Sequence, residues 1–115
     1  KHSELKATTF LAEGLKWFLD SDIQEESGGV ARYHHTDDAR NARISTEITG
    51  YALSSLLDLH ERTGDERAMV AAYRAGEFLS DNAWDSRSDA MPFEWSATGD
   101  LPEHHSYFFT PYTGL

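Results

Sequence analysis

Cysteine is absent from this 115-residue chain, which excludes disulfides, thiolate zinc sites and cysteine nucleophiles and leaves the redox compartment unmarked. No apolar run approaches the ~20 residues that a membrane span needs. Positive charge is scarce: 10 Lys and Arg stand against 20 Asp and Glu, a formal charge of −10, with no basic cluster anywhere. Nucleic acid and membrane are therefore not expected partners. A phosphate-binding glycine loop, a dinucleotide fingerprint and a Gly-x-Ser-x-Gly elbow are all missing, which speaks against nucleotide chemistry and serine hydrolysis, and no cofactor is expected. The N-terminus has no signal-peptide pattern and does not begin with Met, so residues preceding Lys1 and the compartment both stay open.

What the chain does have is helical periodicity, and it is densest from Ile44 to Glu66. Ser45 and Thr46 are N-cap candidates, and Ile48, Tyr51, Ala52, Leu53, Leu56, Leu57 and Leu59 follow before the pattern closes at Thr63-Gly64. These apolar positions spread over more than one stripe, leaving mainly Ser54, Asp58, Glu61 and Arg62 for a polar side, so this helix expects cover on most sides. Thr63-Gly64-Asp65-Glu66 packs a helix stop and a helix start into four residues, the pattern of a tight αα-hairpin. The spacing predicts flanking helices over Ser3 to Leu19 and Glu66 to Ala83. In the first, Leu5, Thr8, Ala12, Leu15 and Leu19 share a face, with Trp17 and Phe18 expected in the core. In the second, Met69, Ala72, Tyr73, Gly76, Leu79 and Ala83 keep register.

Between these helices, Asp20 to Ile44 reads as a long irregular segment in which Gly28-Gly29 marks a turn and Val30 to Tyr33 a short strand. A second irregular, aromatic-rich segment runs from Trp84 to Tyr112. The chain also repeats itself. Phe18-Leu19 and Phe78-Leu79 lie 60 positions apart, the same offset sets Val30-Ala31-Arg32-Tyr33 over Ala90-Met91-Pro92-Phe93, and Thr49-Gly50 reappears as Thr113-Gly114 after a small drift. The unit is a helix, a loop of about 25 residues and a second helix; connectors of that length are rarely mere connectors. Residues 1–115 thus read as a single all-α piece of a helical-hairpin repeat, about one and a half units long. Self-association, or contact with missing hairpins of a longer chain, is expected to cover its apolar faces.

Among candidate chemical groups Glu47 comes first. It stands in the first turn of the central helix, where free N–H groups and the macrodipole favour an ionised carboxylate suited to a general base or a sugar-hydroxyl anchor. A first-turn acid that merely stabilises its helix has the same signature. Glycosidic hydrolysis commonly takes two carboxylates, and Asp37, Asp38, Asp89 and Glu94 are the available seconds. Tyr33, Trp84, Phe93, Trp95, Tyr107, Phe108, Phe109 and Tyr112 concentrate flat rings in the loops, where they suit sugar faces or build small loop cores. His34-His35 with Asp37-Asp38, and His104-His105, are polar knots; adjacent loop histidines point different ways and no helical His-x-x-x-His occurs, so no metal is expected.

Gly28-Gly29-Val30-Ala31, Thr46-Glu47-Ile48-Thr49-Gly50-Tyr51, and Leu56-Leu57-Asp58-Leu59 with Thr63-Gly64-Asp65 together resemble the repeat of the six-hairpin (α/α) toroid proteins that act on carbohydrates. The nearest likeness is to the glucuronyl-epimerase-like and squalene-cyclase-repeat-like bacterial members. The resemblance covers most of Ser3 to Phe93. It departs at Thr46, where the pattern often has Pro, and at Ser88-Asp89-Ala90-Met91, where an Asp-Gly-Ala turn is usual. It implies a partial (α/α) toroid whose cavity is faced by Glu47 and Tyr51, with Tyr33 beside them. The implied activity is saccharide binding, extending to modification by a hydrolase, lyase or epimerase. Glu47 is then the acid/base group, and Tyr33, His35, Tyr51 and Trp95 the substrate contacts. The competing expectation is a non-catalytic helical-repeat module that binds protein through the same loops.

Overall fold

Ser45 starts the central helix as its spacing predicts, with extended backbone and a side-chain oxygen that accepts from the Ile48 N–H at 3.2 Å. In this computed structural model, residues 2–35, 40–86, 91–92, 94–95 and 108–109 are described. Helix α1 spans His2–Asp20 and helix α2 Thr46–Thr63. Gly64 ends α2 at φ 71°, and Asp65 caps α3, Glu66–Glu77, by accepting from the Arg67 N–H at 2.9 Å. The predicted αα-hairpin is therefore present with its stop and start one residue apart. Phe78–Ala83 carries α3 onward as a π-helical stretch, closed by Trp84 N–H donating to the Leu79 carbonyl at 2.9 Å.

The class is mainly α, as expected, and the short β pieces expected in the long loops form a small antiparallel sheet. Strand β1, Val30–His35, pairs with β2, Arg40–Ser45, in a register that sets Val30 against Ser45 and Tyr33 against Ala42. Strand β4, Glu94–Trp95, adds to the other edge of β2, with Ile44 opposite Trp95 and Ser45 opposite Glu94. A separate pair joins β3, Met91–Pro92, to β5, Phe108–Phe109. The segment read as irregular up to Ile44 thus ends in a strand. Arg40-Asn41-Ala42-Arg43 lacks the β-branched and aromatic residues that announce one, and pairing with β1 supplies what intrinsic propensity does not.

One expectation about the core, that for Trp17, is corrected. In α3 the buried face is a stripe of small residues, Ala68, Ala71, Ala72 and Ala75, while Met69, Val70 and Tyr73 are exposed. Alanines allow α3 to lie close against α2, and the larger side chains are turned outward from that tight contact. In α1, Leu15 is buried and Phe18 packs at the edge of two clusters, but Trp17 is 60% exposed and not part of the core. Leu15, Leu56 and the alanines form the interhelical core. Phe78, Leu79, Ala83 and Met91 form a second cluster with Ile44 and Trp95 against it, and Ile23, Val30 and Ala31 a third with Phe18 and Ile48.

The loop between α1 and β1 is stapled to α3. Gln24 donates from Nε2 to the carbonyls of Gly28 at 3.0 Å and Ala71 at 2.9 Å, and Arg74 donates from Nη2 to those of Glu25 at 2.8 Å and Glu26 at 3.1 Å. Gly28 and Gly29 make this approach possible. A Cβ on Gly28, whose φ is +99°, would lie 2.2 Å from the Arg74 carbonyl oxygen, and one on Gly29 would meet Ile44 at 2.6 Å and the Phe78 ring at 2.9 Å.

Candidate functional site

The end of α2 that carries Glu47 is tied into the sheet by its threonines. Thr49, wholly buried, donates its hydroxyl to the Ser45 carbonyl at 2.6 Å and accepts the Val30 N–H at 2.8 Å, which joins the first turn of α2 to the start of β1. Thr46, also wholly buried, donates to the Pro92 carbonyl at 2.8 Å, so the loop beyond α3 is held at the same place. Each hydroxyl satisfies a buried backbone group that would otherwise cost about 1–3 kcal/mol. These two threonines frame Glu47 in sequence, and their work is to fix the helix start. The role of Thr46 and Thr49 escapes sequence reasoning because a threonine near an N-cap is expected to serve its own helix, whereas these reach partners 46 and 19 residues away.

Glu47 is half-buried in this first turn and makes no hydrogen bond or ion pair with another described residue. Tyr51 lies one turn further along the same helix face and is 45% exposed. Glu94 is 1% exposed, with Oε1 wholly shielded from solvent, and its place opposite Ser45 puts it two residues from Glu47 along the paired chain. Of the four second-carboxylate candidates, Glu94 is brought to the start of α2. Asp37, Asp38 and Asp89 lie outside the described residues. Trp95 packs edge-on against Phe78, ring centroids 5.2 Å apart and planes at 87°, and keeps part of its surface accessible.

The remaining expected contacts separate. β1 leaves the start of α2 at Val30, so the backbone of Tyr33 lies about 10 Å along the strand and that of His35 roughly 16 Å along it. His35, opposite Arg40, belongs to the far end of the hairpin, away from Glu47. Phe93, His104, His105, Tyr107 and Tyr112 lie outside the described residues.

The described cavities lie elsewhere. A groove of about 480 Å³ runs between α1 and α2, lined by Phe10, Leu11, Trp17, Phe18, Ala52 and Leu59 among others, and another of about 420 Å³ lies between α2 and α3 over Leu57, Met69, Tyr73 and Gly76. Both are shallow and apolar in lining. Among the described residues no helix is long and apolar enough to cross a membrane, and no three His, Asp or Glu side chains gather as a metal shell.

No protein-family model matches the chain, and neither a curated protein nor a solved structure shows significant similarity to it.

Proposed function

We propose that the chain is part of an (α/α) toroid-like array of helical hairpins, and that the end of α2 carrying Glu47 takes part in binding, and in modifying, a saccharide. The observation that carries this reading is the β2–β4 pairing. It sets Glu94 opposite Ser45, the cap of α2, and Trp95 opposite Ile44, so the backbone carrying a second carboxylate and an aromatic residue runs beside the helix start that carries Glu47, with Tyr51 on the face of Glu47. Acid groups flanked by flat rings are what saccharide recognition and glycosidic chemistry use. In this role Glu47, the more accessible acid, is the acid/base group, and Glu94 shapes its surroundings from a buried position.

The internal repeat supports the array. β3 and β5 pair antiparallel, as β1 and β2 do, and Met91 opposite Phe109 follows Ala31 opposite Ile44 at offsets of 60 and 65 residues. The sequence Thr-x-x-Thr-Gly of Thr46 to Gly50 recurs from Thr110 to Gly114. Retention on an array of neutral and acidic oligosaccharides tests the function, with native protein beside Glu47→Gln. Retention that Glu47→Gln weakens at unchanged helicity supports the reading. A folded native chain that retains no oligosaccharide, or equal retention by the variant, refutes it.

A second reading, a helical-repeat module that binds protein, draws on the outer faces of the helices. Phe10 at 72%, Val70 at 59% and Tyr73 at 67% exposure are large apolar groups turned to solvent.

A further inference from the structure

We draw no further inference here: the strongest candidate, the apolar groove between α1 and α2 flanked by the exposed Phe10 and Trp17, is an unpartnered helix face, and nothing in the structure shows what covers it.

Discussion

Arg74 of α3 donates from Nη2 to the carbonyl oxygen of Glu25, 49 residues earlier, at 2.8 Å. The same guanidinium reaches Glu26, and one turn earlier on α3 the carbonyl of Ala71 accepts from Gln24. A loop that has no regular structure of its own thereby borrows order from a helix. This matters for the site, because the loop delivers Val30 to Thr49 and so decides where the sheet meets α2.

Removing the staple should loosen the loop while sparing the helices. Arg74→Ala is expected to cost about 1–2 kcal/mol, the value for hydrogen bonds to a charged donor discounted for partial exposure. Arg74→Lys should recover only part of this, since an ammonium lacks the planar fork that serves neighbouring carbonyls together. Urea midpoints of the three proteins check the order. A lysine variant as stable as the native chain would mean that charge alone matters here.

Gly28→Ala should be worse than either. Its Cβ must occupy a position 2.2 Å from a backbone oxygen that cannot swing aside, and φ +99° is strained for alanine in any surroundings. Adding the two penalties gives about 2–6 kcal/mol. Gly64→Ala is the matched control: its φ is also positive, but open space surrounds its Cβ. The difference between the two variants in urea unfolding isolates the clash from the backbone strain.

Thr49→Val keeps the shape of the side chain and removes the hydroxyl. The Val30 N–H then loses its acceptor in a buried setting, for an expected loss of about 1–3 kcal/mol. Thr49→Ser should hold most of the stability. Amide hydrogen exchange at Val30 is the sharper readout: protection should fall in the valine variant and persist in the serine one.

How far the chain was legible follows from where each signal resides. The start and stop of α2 and the turn into α3 were readable because Ser45, Gly64 and Asp65 act on backbone within a few residues. β2 was not readable, since Arg40 to Arg43 become a strand through the partner strand β1 and not through their own propensity. The outward turn of Met69 and Tyr73 was hidden because size and hydrophobicity argue for burial, and only the closeness of α2 reverses the choice. Glu94 was one of four equal candidates in sequence, and only the register of β4 on β2 shows that it lies opposite the cap of α2.

Asp65 makes the αα turn sensitive to acid. The Arg67 side chain, hydrogen-bonded at 2.8 and 3.1 Å, and then the Arg67 N–H lower its carboxyl below the usual aspartate range. Because the folded-state value is the lower one, the stabilisation is present above the unfolded value and is lost as pH falls through the folded one. Asp65→Asn, which retains a capping oxygen but no charge, should lower the thermal midpoint near neutrality. The gap to the native chain should close only below the normal aspartate range. A gap constant down to the most acidic pH would mean that the ion pair contributes nothing beyond the cap.

The outer faces of α1 and α3 set the last expectation, where two forces oppose each other. Phe10, Trp17, Val70 and Tyr73 present large apolar groups, each worth about 1.5–3 kcal/mol if wholly covered. A formal charge of −10 on every copy opposes association, but over separations beyond about 8–10 Å salt screens it, whereas apolar burial needs only contact. At physiological salt the apolar term should win, so light scattering should find species heavier than one chain, diminished by Trp17→Glu with Tyr73→Glu. Lowering the salt should shift the native protein towards single chains. A folded monomer at every salt concentration would mean that three helices and their small sheet close a sufficient core alone, and the array reading would fall in favour of a small independent module.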